Sequence, residues 1–192
     1  MQRPCEQKRG AILKAAAHFF ASRPFHEVRL DDIAERAGVG KGTLYVYFDS
    51  KEALYLALVR DGFATIVDRI RRELAAGPPG AADRLGIVVE GLIGFGTAFP
   101  DVYRVMRTRV MSAEDPSIQE DRRVLSAIIE DVLRTGIDRG EISDPHPEIT
   151  TQFILAFIRG ALLYPPEGMT LEILKQHLLH VLLSGIGQGR PA

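Results

Sequence analysis

The chain has 192 residues, 46 % hydrophobic and 26 % charged, a balance that excludes a disordered tail, and no apolar run reaches the ~18–20 residues that cross a bilayer. A net charge of −1 hides an asymmetry: residues 1–60 carry ten Lys/Arg against seven Asp/Glu, and residues 61–192 carry fourteen against eighteen, so a mildly basic head precedes an acidic body. The lone Cys5 excludes an intramolecular disulfide framework and a cysteine-based zinc cluster.

Almost every segment has a helical period and none alternates for long between apolar and polar residues, which predicts an all-α chain. Ile12, Leu13, Ala16, Phe19 and Phe20 stripe a first helix that Pro24 ends. A short second helix over 31–37 turns Ile33, Ala34 and Ala37 inward, Gly38-Val39-Gly40 breaks it, and a third covers 41–47. Asp49 or Ser50 caps a long fourth helix over 51–76, because either side-chain oxygen accepts a free N–H of the first turn. Gly77-Pro78-Pro79-Gly80 is a loop; a fifth helix follows over 81–99, punctuated by Pro100, and a sixth over 102–112. Pro116 precedes a seventh with the core face Leu125, Ile128, Ile129, Val132 and Leu133. An eighth runs over 147–164 until Pro165-Pro166, and Thr170 caps a ninth carrying Leu171, Leu174, Leu178, Val181 and Leu182. The expected architecture is nine helices, with no internal repeat.

The second and third helices have the makings of a helix-turn-helix. Gly38 tolerates the positive φ of a tight turn, Ala34 and Val39 are small enough for a close crossing, and Ile33 and Leu44 close a miniature core. Lys41, Thr43, Tyr45 and Tyr47 offer donors on the outer side. Two short helices joined by a glycine turn also occur in proteins that never touch DNA, so these residues alone leave both readings open.

The run Asp32-Ile33-Ala34-Glu35-Arg36-Ala37-Gly38-Val39-Gly40-Lys41-Gly42-Thr43-Leu44-Tyr45-Val46-Tyr47-Phe48-Asp49-Ser50-Lys51-Glu52-Ala53-Leu54 closely resembles the signature of the TetR family of transcriptional regulators. The preceding Ile12 to Phe20 stretch is similar to that family's first helix. The resemblance is detailed over about residues 8–60 and extends beyond only as a helical plan. It implies a DNA-binding domain over 1–50 and an effector-binding and dimerisation domain over 51–192. It also implies that Lys41, Gly42, Thr43 and Tyr45 face the major groove, with Thr43 and Tyr45 reaching base edges and Gly42 letting the backbone approach closely. Tyr47 and Lys51 would contact phosphates, and Phe48 would anchor the recognition helix; for Tyr45, packing is the alternative to contact.

The chain departs from the family pattern at two places. Gly40 stands where Ser or Thr usually caps the recognition helix, at a cost of only a few tenths of a kcal/mol. Val28-Arg29-Leu30 replaces the usual hydroxyl before the second helix, and Arg29 is a candidate charged phosphate ligand in its place.

One short recognition helix reads few base pairs, so a symmetric dimer on a palindromic operator is expected. The eighth helix, with Phe153, Ile154, Ala156, Phe157, Ile158, Ala161 and Leu162, has almost no polar face, and the ninth resembles it. Burial within one chain explains this as well as pairing does; the family resemblance implies a homodimer through these two helices. Candidate effector-pocket residues are Phe95, Phe99, Tyr103, Met106, Arg107, Phe153, Phe157 and Arg159, which suit a small apolar or aromatic ligand or else simply fill the core. Arg159, set in an apolar helix, either pairs with an acid such as Glu90 or meets an anionic ligand. The resulting expectation is a ligand-responsive transcriptional repressor bound to double-stranded operator DNA. Met1 to Gly10 lacks the apolar core of a signal peptide, so a cytoplasmic location is expected. No enzymatic role, cofactor or metal is expected: His177 and His180 have i, i+3 spacing but no carboxylate pattern beside them, and no phosphate-cradling glycine loop or nucleophile elbow is present.

Overall fold

Nine α-helices and one 3-10 turn, with no strand, make up the described residues 4–77, 80–107 and 115–186 of the computed structural model. The helices are α1 (Pro4–Ser22), α2 (Leu30–Arg36), α3 (Lys41–Tyr47), α4 (Lys51–Ala76), α5 (Ala81–Ala98), α6 (Pro100–Arg107), α7 (Pro116–Asp138), α8 (Pro147–Leu163) and α9 (Leu171–Ile186). The sequence pattern finds α3 and α4 to the residue, and α2, α5 and α8 within one. α6 starts at Pro100 rather than 102, since proline lacks only an N–H that the first helical turn leaves unbonded. The 3-10 turn at Phe25–Glu27 is not legible in the periodicity. The expected end of the sixth helix near Ser112, the Pro78-Pro79 pair and the side chains of Cys5 and Arg107 lie outside the described residues.

The chain divides into two compact units, Met1–Ala64 with Phe99–Asp121, and Thr65–Ala98 with Arg122–Ala192. α4 contributes to both units, and α6 belongs with the amino-terminal helices because it packs against α1.

In the first unit the buried stripe of α1 (Ile12, Leu13, Ala16, Phe20) meets Ile33 and Ala34 of α2, and Leu44, Phe48, Leu54 and Leu58 complete the core. Phe20, Phe25 and Tyr55 form a three-ring cluster with centroids 5.2–5.6 Å apart, stacked between the two phenylalanines and edge-on to the tyrosine. The Tyr55 hydroxyl donates to the Val105 carbonyl at 3.2 Å, tying α6 to α4. α6 lies so close to α4 at Gly62 that a Cβ there would meet Met106 Sδ at 2.5 Å.

In the second unit α5 is central and packs against α8 and α9. Its buried Leu85, Val88, Val89 and Leu92 face Ile154 and Ile158 of α8 and Leu174, Leu178 and Leu182 of α9, joined by Leu125, Ile129, Val132 and Leu133 of α7. Glycine sets the spacing on α5: a Cβ at Gly91 would meet Ile70 Cγ1 at 2.7 Å. The first N–H of α5, from Ala81, is satisfied by Glu141 Oε2 at 2.5 Å, and Gly140 takes φ +70° to end the turn after α7 that delivers this carboxylate.

Candidate nucleic-acid interface

The turn between α2 and α3 closes as a Schellman motif. Gly38 takes φ +66°, its N–H donates to Glu35 O, and Val39 N–H donates to Ala34 O, both at 3.0 Å. Ile33, Ala34 and Leu44 are buried where the helices cross. Gly40 begins α3 in extended conformation with no side-chain cap. At the other end Ser50, rather than Asp49, caps α4, its Oγ accepting Ala53 N–H at 3.0 Å.

With Leu44 buried, the helical period turns Lys41, Gly42, Tyr45 and Val46 outward, and all four are exposed. Tyr45 is 44 % exposed and Val46 81 %, so the outer face combines donors with an aliphatic knob. Val46 is not legible as an outward residue in the sequence, where an aliphatic side chain in a helix reads as core. Thr43 and Tyr47 are half-buried on the flanks, and the Tyr47 ring lies 6.5 Å from that of Phe48, itself buried as an anchor. A Cβ at Gly42 would meet nothing within 4 Å, so the fold does not require that glycine. Arg29 is exposed and precedes α2 as its extended N-cap residue.

Two cations on this side are engaged within the chain. Lys41 Nζ lies 2.8 Å from Asp31 Oδ1 and 3.1 Å from Oδ2, bridging α3 to α2. That hydrogen bond is the main reason the Asp31 carboxyl is held below its ordinary value and Lys41 above its own. Lys51, expected at a phosphate, is held within the chain here. Its ammonium donates to Phe25 O at 2.8 Å, Val28 O at 2.9 Å and His26 O at 3.4 Å, and lies 4.6 Å from the centre of the Phe25 ring. All three of its N–H donors have carbonyl partners, so the structure uses Lys51 to close the 3-10 turn.

The expected effector residues fall in both units. In the first, Met106 is buried against Gly62, Tyr103 is half-buried and Phe99 exposed. In the second, Phe95 is buried on α5, whereas Phe153, Phe157 and Arg159 lie exposed on α8. The core-facing side of α8 is Pro147, Thr151, Ile154 and Ile158, so within one chain Phe153 and Phe157 do not share an interior with Phe95. Of the two alternatives for Arg159, pairing with Glu90 is not the one found: Arg159 is exposed, and Glu90 accepts from Lys175 of α9 at 2.6 Å. Thr151 was missed: it is 1 % exposed, and its hydroxyl has no hydrogen-bond partner among the described residues. Among those residues no three His, Cys, Asp or Glu side chains cluster as metal ligands, and His177 and His180 are exposed on α9. No single helix there is long and apolar enough to cross a membrane.

A glycine-turned pair of short helices, with polar and aliphatic side chains projecting from the second, is the geometry of a helix-turn-helix. Residues 12–58 match the family described as bacterial regulatory proteins, tetR family, and residues 78–186 match the tetracyclin repressor-like C-terminal domain. The chain belongs to the TetR family of transcriptional regulators. It is 30 % identical to the transcriptional repressor KstR2 of Mycobacterium tuberculosis over 93 % of this chain and 92 % of that protein. Identity to the transcriptional activator FasR of Mycolicibacterium smegmatis is 41 %, but over 37 % of this chain and only about a third (32 %) of that relative's length. Among solved structures, the regulator FadR of Bacillus subtilis in complex with stearoyl-CoA shares the fold with a TM-score of 0.80 and 23 % identity, over 92 % of this chain and 98 % of that one.

Proposed function

We propose that this protein is a ligand-responsive repressor that binds a palindromic operator as a homodimer and is released by a small apolar or aromatic effector. The observation that carries the DNA half is the outer face of α3, where Lys41, Gly42, Tyr45 and Val46 project together and nothing in the fold calls for a glycine at 42. Glycine inside a helix costs about 0.5–1 kcal/mol relative to alanine, and close approach of the backbone to a duplex accounts for it. Thr43 and Tyr45 read base edges, and Arg29 and Tyr47 contact phosphates from either side. Residues 1–50 act as the DNA-binding domain and 51–192 as the sensor and dimerisation domain.

The dimer forms through α8 and α9, whose outward Phe153, Phe157, Ile173 and Val181 would otherwise remain in water. The effector is held within the second unit, where the buried Phe95 is apolar and the unpartnered Thr151 hydroxyl suits one polar group on an otherwise apolar ligand. Arg159, Phe153 and Phe157, placed on the outer side of α8, belong with the dimer rather than the pocket. The repressor reading follows KstR2, which matches over nearly the whole chain, in preference to the activator FasR, which matches over 71 residues. Effector binding favours a dimer in which the two α3 helices no longer sit one DNA turn, about 34–36 Å, apart. Operator DNA then weakens effector binding by the same factor.

Fluorescence anisotropy with labelled duplex from upstream of the protein's own gene tests the proposal. Binding that excess unlabelled random duplex does not displace is expected. A panel of long-chain acyl-CoA thioesters, free fatty acids and steroid acids should contain a compound that releases it. Equal affinity for all duplexes would sink the DNA half, and unaltered binding across apolar ligands of every class would sink the effector half.

A further inference from the structure

We infer that Val46 is a specificity-determining residue that reads the 5-methyl group of a thymine in the major groove, an inference that rests on the DNA-binding reading of α3. At about 100° per residue, Val46 lies about 160° around α3 from the buried Leu44, pointing directly away from the core. It is 81 % exposed, more than any other large hydrophobic side chain among the described residues. Nothing within the first unit explains it. A β-branched residue lowers helix propensity, and leaving it in water forgoes the gain from burial.

Its neighbours on the same face decide the occupant. Tyr45 is exposed next to it, and Gly42, one turn earlier, adds no side chain that would hold a surface away from it. A protein partner would be expected to meet a broad apolar patch, whereas Val46 is an isolated knob beside a phenol and bare backbone. The major groove offers one apolar feature of matching size, the thymine methyl, amid hydrogen-bonding base edges suited to the polar neighbours. A valine has no donor or acceptor with which to read anything else there.

The test begins with in vitro selection of duplexes from a random pool by the purified full-length protein, compared with Val46→Ala. Because the side chain is exposed, this substitution leaves the core intact, which a thermal melt verifies. The wild-type site should contain a T·A pair in each half that Val46→Ala no longer selects. Replacing that thymine by deoxyuridine, which removes only the methyl, should weaken wild-type binding about three- to tenfold per half-site. Val46→Ala should bind the thymine and deoxyuridine duplexes equally. A selected site at which the wild type is indifferent to deoxyuridine at every thymine would overturn the inference and leave the DNA reading standing. So would a Val46→Ala protein that keeps the full wild-type penalty. A wild-type protein that enriches no sequence would overturn both.

Discussion

The ammonium of Lys51 donates to the Phe25 carbonyl at 2.8 Å and lies 4.6 Å from the centre of the same residue's ring. With Val28 O at 2.9 Å, the first residue of α4 thereby closes the turn that leads from α1 into the helix-turn-helix. The Phe25 ring is held in turn by Phe20 and Tyr55, so charge and aromatic packing act on one residue. Removing the ammonium takes its donor from two part-buried carbonyls, those of Phe25 and Val28. Lys51→Met should lower stability by about 2 kcal/mol, in the range for hydrogen bonds to charged groups, as measured by urea unfolding. The salt dependence of operator affinity should keep its slope. A slope reduced by about one per half-site, with stability unchanged, would instead make Lys51 a phosphate ligand.

Gly91 is where α5 admits Ile70 of α4 within the second unit. A Cβ there would sit 2.7 Å from Ile70 Cγ1, an atom on a branched, buried side chain with little freedom to move. Gly91→Ala should therefore be destabilising by about 1–2 kcal/mol, because the overpacking penalty exceeds the gain in helix propensity. A thermal melt checks the sign, and a raised midpoint would show that the helices separate without cost.

The Glu90–Lys175 pair joins α5 to α9 at 2.6 Å. The hydrogen bond from Lys175 is the main cause that holds the Glu90 carboxyl below its ordinary 4.5, and the same bond raises Lys175 above 10.5. A depressed carboxylate stabilises the fold above its unfolded value and loses that contribution as pH falls through the lowered one. A raised lysine contributes below 10.5 and loses its share as pH rises through the higher value. The stability difference between wild type and Glu90→Gln should thus be flat from about pH 5 to 10 and shrink at both ends. With the Glu90 side chain 54 % exposed, water screens the pair, and the difference should be about 0.5 kcal/mol or less. Urea titrations across pH measure it; a difference that grows below pH 4.5 would contradict the sign.

Phe153 is 66 % exposed on α8, opposite the side that carries Ile154 and Ile158 into the core. Phe153→Glu should leave the helical circular dichroism unchanged and convert a dimer to a monomer in sedimentation velocity, with operator affinity falling at least tenfold. A variant that stays dimeric would remove α8 from the interface.

How much of this was legible in the sequence depended on the range of the interaction. The breaks at Gly38, Pro24 and Pro165, the Thr170 cap, which accepts Ile173 N–H at 3.2 Å, and the limits of α3 and α4 could all be read. Each is decided by residues a few positions apart, through φ preferences, lost N–H groups and capping oxygens. The linear motif over residues 32–54 likewise marks the helix-turn-helix from local sequence alone.

Long-range partners were not legible. Lys51 reaches back to carbonyls 23–26 residues earlier, Lys175 takes Glu90 from 85 residues away, and Glu141 caps α5 from 60 residues downstream. A cationic side chain has the same composition whether it meets a phosphate, a carboxylate or a turn of backbone; only folding sets which acceptor is nearest. Periodicity also marked α8 as apolar on nearly every side, but the tertiary structure decided which side is inward, because Ile154 and Ile158 meet α5 while Phe153 and Phe157 do not. The sequence by itself determined the helices, the turn and the family. The packing of the chain decided which charges remain available for DNA and which apolar groups remain for a partner.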